Sequence, residues 1–168
     1  TITPAPLTLA ASADTRIYDG GTASAAAPTV LAGLVAGDSV TATQAFDSRN
    51  AGARSLAISG YTISDGHGGA NYAVTTLPGA GRITPAALTI AASADTKTYD
   101  ASAASAVAPV VAGLVGGDSV GALRQSFDSA NAGPRTLSVT GYTVSDGNAG
   151  ANYSVATATA PARADRRR

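Results

Sequence analysis

The residues that could do chemistry in this chain are almost all aspartates. All eleven acidic residues are Asp, there is no Glu and no Cys, and His67 is the only imidazole. Carboxylates of this kind serve as calcium ligands or as the acid and base of a glycosidase. The densest oxygen clusters are Asp47 with Asn50 and Asp128 with Asn131, so these four residues are the candidate calcium ligands. No Asp-x-Asp-x-Asp-Gly loop supports them. Without Cys there is no thiolate nucleophile, no disulfide and no Cys-ligated zinc. The glycine runs near 66–69 and 147–150 lack the Lys-Ser/Thr that a phosphate-cradling loop requires, so no cofactor is expected. His67 stands where the second half of the chain has Asn148, which reads as a loop position.

A repeat explains the aspartates. Ile2-Thr3-Pro4-Ala5 recurs as Ile83-Thr84-Pro85-Ala86, an offset of 81. The offset falls to 80 at Gly117-Asp118-Ser119-Val120 and is 81 again at Phe127. The chain therefore reads as two tandem modules, 1–82 and 83–162, followed by a basic, disordered tail at 163–168. Each module is long enough for a small core of its own. Ten of the aspartates pair between copies (14/95, 19/100, 38/118, 47/128 and 65/146), nearly all beside turn residues, and only Asp165 is single. The eight aromatics also pair, as Tyr18/Tyr99, Phe46/Phe127, Tyr61/Tyr142 and Tyr72/Tyr153, which reads as core or corner positions.

The elements that must hold these residues read as strands. Leu7 and Leu9, and Leu88 and Ile90, alternate with small residues. Leu56 and Ile58 alternate, Gly60 intervenes, and Tyr61 and Ile63 continue in the opposite phase, the signature of a β-bulge. Val30 to Leu34 and Val40 to Phe46 are further strands, and Asp-Gly, Gly-Asp and Asn-Ala-Gly runs are the turns. Ala23 to Ala27 and Ala101 to Ala108 are permissive for at most a turn or two of helix before a Pro. The fold expected is all-β: two tandem small β-sandwich or β-grasp-like modules, five to seven strands each, in an extended, semi-rigid arrangement. With no long apolar run, no membrane span is expected. The formal net charge is zero, which argues against nucleic acid. Without Arg163, Arg166, Arg167, Arg168 and Asp165 the body keeps seven bases against ten acids, a net of −3. The chain opens at Thr1 without an initiator Met or signal peptide and so reads as a segment of a longer polypeptide.

The ordered blocks resemble a known family. They are Ile-Thr-Pro-Ala, Leu-Thr-(Leu/Ile), Lys/Arg-x-Tyr-Asp, Gly-Leu-Val-x-Gly-Asp-Ser-Val, Phe-Asp-x-x-Asn-Ala-Gly, Gly-Tyr-Thr-(Ile/Val)-Ser and Ala-Asn-Tyr-x-Val. Together the series resembles the YDG/MBG-type repeats of large secreted bacterial surface proteins, including filamentous-haemagglutinin-like adhesins. The structural signature is Tyr18-Asp19-Gly20, which becomes Tyr99-Asp100-Ala101 in the second copy. The turn after Asp100 is therefore expected to keep negative φ. The resemblance implies a non-enzymatic stalk or adhesin repeat at the bacterial outer surface. Its partners would be neighbouring repeats of the same polypeptide, or host or cell-surface glycans or proteins. An alternative is a carbohydrate-binding module pair, which needs an exposed aromatic platform; Tyr18 and Tyr99 are the aromatics expected to be half exposed. The Thr157-Ala158-Thr159 row is a weaker candidate for a sugar- or ice-binding face.

Overall fold

The computed structural model describes residues 1–167, and the chain divides into two compact units, Thr1–Thr84 and a second from Pro85 onward. Among the described residues all regular secondary structure is strand, with seven strands in each unit and no helix. In the first unit these are β1 (Ala5–Ala10), β2 (Asp14–Ile17), β3 (Thr29–Ala32), β4 (Ser39–Phe46), β5 (Gly52–Ser64), β6 (Tyr72–Leu77) and β7 (Gly79–Thr84). They form a three-stranded sheet of order β3-β1-β6 and a four-stranded sheet of order β2-β7-β5-β4. β1 is parallel to β6 and β2 is parallel to β7, while the other pairs are antiparallel.

The second unit repeats the plan. Its strands are β8 (Ala86–Ala91), β9 (Asp95–Thr98), β10 (Val110–Ala112), β11 (Ser119–Phe127), β12 (Gly133–Ser145), β13 (Tyr153–Ala158) and β14 (Ala160–Asp165). The sheets are β10-β8-β13 and β11-β12-β14-β9.

Period-2 alternation drives this arrangement. Leu7 and Leu9 on β1 point inward with Tyr72 of β6 and meet Ile63 of β5, with Leu34, Val40, Ile58 and Val74 packed around them. One sheet thus covers the other, and each fully buried Leu or Ile contributes about 1.5–3 kcal/mol. In the second unit Ala92, Phe127, Leu137 and Ala160 form a cluster at a different place, the positions that Ala11, Phe46, Leu56 and Gly79 hold in the first unit. Gly33 enters this packing because a Cβ there would lie 1.9 Å from the Pro6 carbonyl oxygen, and its φ is +96°. Gly113 has the same relation to Ala87. The bulge expected at Gly60 is present. Thr43 pairs with Gly60 and Gln44 with Ile58, leaving Ser59 as the extra residue. The residue gained in the second copy is absorbed inside β11, where the register breaks between Gly121 and Arg124 and Ala122 has φ +52°.

Three expectations are corrected. The Ala-rich stretches form no helix. Ala23 instead bridges to Ala45, and Ala104 to Ser126, and side chains nearby bind the backbone, Asp14 accepting the Ala25 amide and Ser102 Oγ the Ala104 amide. The division between units falls at Thr84 rather than at residue 82, since Ile83 and Thr84 belong to β7. The tail is not disordered from Arg163: β14 runs to Asp165, pairing with β12 and β9, and Tyr99 N–H donates to the Asp165 carbonyl at 2.7 Å. Arg168 lies outside the described residues.

Ile83 is 1% exposed and Ile2 is 99% exposed. Ile83→Ala is expected to destabilise the first unit by about 2–4 kcal/mol, and Ile2→Ala by less than about 0.5 kcal/mol. Chemical denaturation of the two variants checks this.

Candidate functional site

The Tyr-Asp signature builds a clamp rather than a catalytic centre. β2 ends at Ile17, and Tyr18 N–H extends its pairing by donating to the Thr84 carbonyl at 2.8 Å. The ring of Tyr18 is buried. Asp19 then turns back, accepting the Gly21 amide at 2.9 Å and pairing with the guanidinium of Arg16, which lies 5.6 Å from the Phe46 ring centroid. In the second unit Lys97 does the work of Arg16. Its ammonium is 2.9 Å from Asp100, donates to the Ser102 and Ala104 carbonyls, and stands 5.1 Å from the Phe127 ring. The turn after Asp100 does not keep negative φ, because Ala101 has φ +65° where Gly20 has +83°. In this conformation the Asp100 carboxylate reaches the Ser102 amide, at 2.9 Å, while holding Lys97. The left-handed conformation costs an alanine about 1 kcal/mol.

The other carboxylates are occupied in the same way. Asp65 accepts the amides of His67 and Gly69, each at 2.8 Å, and of Asn71 at 3.2 Å. Asp146 accepts those of Asn148, Gly150 and Asn152 and is 1% exposed. Tyr72 Oη donates to Asp38 at 2.5 Å and accepts the Val35 amide; Tyr153, Asp118 and Val115 repeat this. Asp47 and Asp128 close the β4–β5 and β11–β12 hairpins by accepting the Ser55 and Thr136 amides. Asp14 and Asp95 accept Ser24 and Ser105 hydroxyls, and Asp165 pairs with Arg163. Each of the eleven aspartates therefore has a partner within its own unit.

For the candidate calcium residues this leaves turn roles. Asn50 and Asn131 donate their backbone amides to the Ser48 and Ser129 hydroxyls, and Asp128 lies 3.8 Å from Arg135. Among the described residues no three His, Cys, Asp or Glu side chains gather in a form that could hold a metal ion. His67 lines a groove of about 510 Å³ with Asp38, Asn71 and Tyr72.

One buried network has no counterpart in the motifs singled out from the sequence. Gln44 Oε1 accepts the Ser12 amide at 2.7 Å, and its Nε2 donates to the Ser12 carbonyl at 2.8 Å and to Ser24 Oγ at 2.9 Å. Gln125 does the same with Ser93 and Ser105. The signal was available, since these are the two glutamines of the chain and they stand 81 residues apart.

Three aromatics are open to solvent, Tyr61, Tyr99 and Tyr142. Tyr61 and Tyr142 are 49% and 40% exposed, each just past its bulge glycine. Tyr61 lines a groove of about 430 Å³ with Ile63, Gly68, Gly69, Ala70 and Tyr72. Among the signature tyrosines expected to be half exposed, Tyr99 is so and Tyr18 is not.

A family model described as the YDG domain matches the chain twice, over residues 3–79 and 84–160. No curated protein and no solved structure matches it. β7, from Gly79, and β14, from Ala160, begin where each match ends.

Ala101→Gly relieves the left-handed alanine and is expected to stabilise the second unit by about 0.5–1 kcal/mol, read by chemical denaturation.

The pH dependence follows from the bonded carboxyls. The Ser24 hydroxyl holds Asp14 below the ordinary carboxyl value, Lys97 does so for Asp100, and the Gly69 amide does so for Asp65. For Asp146 burial is the largest single influence and pushes upward, but three backbone amides outweigh it. Folded values below the unfolded one mean stability that is complete above about pH 4 and lost as the pH falls further. Tyr72 is shifted upward by its bond to Asp38, so its contribution is complete below about pH 10 and lost as the pH rises beyond. Melting temperature against pH should therefore be flat between these limits. Asp146→Asn, which turns an amide donor toward backbone donors, is expected to cost about 2 kcal/mol and to shrink the acid limb.

Proposed function

We propose, from the premise that this chain belongs to the YDG domain family, that it is a non-enzymatic stalk or adhesin segment of a secreted bacterial surface protein. The observation that carries the proposal is the occupation of all eleven aspartates in turns, hairpin closures, hydroxyl bonds and cation pairs. The groups best suited to acid–base work are committed to backbone amides, hydroxyls and cations, ten of them at positions used in both units. A side chain that accepts two or three amide bonds is a poor proton shuttle, because its charged form is already favoured. What the two units offer instead is repetition. Identical modules in series set a distance and multiply weak contacts by effective concentration. The sequence blocks add support, since they resemble repeats of filamentous-haemagglutinin-like adhesins, and neighbouring repeats of the same polypeptide are the proposed partners.

Exposed aromatics favour a second reading. Tyr61 and Tyr142 stand at matched positions, and Tyr61 edges an open groove. An open tyrosine face beside polar backbone suits a sugar ring, so glycan binding is the alternative for the same pair of modules.

Brief protease treatment of intact bacteria producing the parent protein tests the first reading. Release of fragments carrying this sequence before lysis is expected, and release only after lysis would overturn the surface assignment. A glycan array probed with the chain and with its Tyr61→Ala, Tyr142→Ala double variant tests the second. Binding lost in the variant, with unchanged melting, supports it; no binding by the parent chain removes it.

A further inference from the structure

Ile-Thr-Pro-Ala occurs twice, and the two copies have opposite surroundings. In the second copy, Ile83 and Thr84 finish β7, inside the four-stranded sheet between β2 and β5. Ile83 stands opposite Arg16 on one side and Gly52 on the other and is 1% exposed. Thr84 accepts the Tyr18 amide through its carbonyl, and its hydroxyl donates to the Arg16 carbonyl at 3.2 Å. Pro85, which has no N–H to offer a ladder, stops the strand, and Ala86 opens β8.

The first copy keeps only the last of these roles. Ala5 opens β1 as Ala86 opens β8, and their amides donate to the Asn71 and Asn152 carbonyls at 2.8 and 2.9 Å. Residues 1–4 pair with no strand, and Ile2 is 99% exposed. A β-branched apolar residue, a threonine and a strand-ending proline stand here in order with no sheet to close. The corresponding place in the second unit, Ala164 on β14, is 2% exposed, so this position is buried wherever the strand is seated.

We infer that Ile2-Thr3 is the end of a closing strand, and that the surface it fits is the β2–β5 slot of a further module of this same fold. The motif then belongs to two modules at once. Ile-Thr completes the fold of one module, and Ala, after the proline, begins the next. The inference rests on the neighbouring-repeat reading of the proposed function. It adds the residues and the slot through which a neighbour would be completed.

The experiment fuses an extra copy of residues 5–81 directly ahead of Thr1 in the full chain, so that only Thr1-Ile2-Thr3-Pro4 can finish its last strand. A second fusion carries residues 5–84 and a flexible Gly/Ser linker ahead of Thr1. In the direct fusion the added copy is expected to fold, and exchange across residues 1–3 to slow by at least about a hundredfold, as for amides in a cooperative unit. Ile2→Ala should then destabilise the added copy as Ile83→Ala destabilises the first unit, although Ile2→Ala leaves the unfused chain unchanged. If the linked copy folds and the direct one does not, or if residues 1–3 stay fast in exchange, the strand assignment is wrong. If neither added copy folds, the reading of these units as autonomous repeats fails, and this inference fails with it.

Discussion

Each unit depends on getting two neighbouring parallel chains from one sheet to the other without orphaning buried peptide groups. β1 runs into β2 and β6 into β7, and both pairs lie side by side in both sheets. At the crossing the ladder is interrupted. Ala11 still donates to the Leu77 carbonyl at 2.9 Å, but Ser12 has left the sheet. The Gln44 side chain supplies an amide in place of a strand, accepting from Ser12 N–H and donating to Ser12 C=O. A buried peptide unit left bare would cost several kcal/mol, so the corner needs a planar donor–acceptor pair of that geometry. With the corner held, β7 enters the middle of the four-stranded sheet, and the aromatic clamp of Arg16 and Phe46 closes beside it.

Much of this was legible from the residues. The repeat, the all-β class, the strands around Leu7 and Leu9 and the bulge at Gly60 follow from periodicity and from glycine in a phase slip, both strictly local signals. The turn roles of Asp19, Asp65 and their copies were legible for the same reason, since an Asx turn needs only its own next few residues. What escaped depends on contacts distant in sequence. Gln44 reads as an ordinary polar residue on a strand until Ser12, 32 positions away, is seen to need it. Ala101 reads as a negative-φ residue until Lys97 and Ser102 are both bonded to Asp100. Arg163 reads as tail because its charge dominates, although Ala164 behind it fills a buried position.

The two copies also separate what a turn requires from what it merely uses. Arg16 and Lys97 are interchangeable above a phenylalanine because the position asks for a cation and a donor, not for a bidentate fork. Glycine and alanine interchange after the Tyr-Asp pair because tertiary bonds outweigh a cost of about 1 kcal/mol. His67 and Asn148 interchange because Asp65 and Asp146 bind the backbone there rather than the side chain. Asn148 adds one contact of its own, donating to Asn152 Oδ1 at 3.0 Å. Chemistry that depended on the imidazole would not survive such an exchange between copies.

A sequence repeat and a folding unit need not share a frame. The repeat read from Ile2 to Ile83 begins at Ile-Thr-Pro, yet the fold begins after the proline and ends on the Thr that precedes the next one. The residues of β7 look dispensable to a motif reader because they straddle the restart of the pattern. Physically they are the opposite, since β7 is hydrogen-bonded on both sides and carries Ile83 into full burial. A unit cut at the end of the sequence block would expose the inner edges of β2 and β5 and lose the strand between them. In a nearest-neighbour description of tandem modules, that places the closing strand of the first unit and the opening strand of the second one proline apart, so one Ile-Thr-Pro-Ala block ends one fold and begins the next.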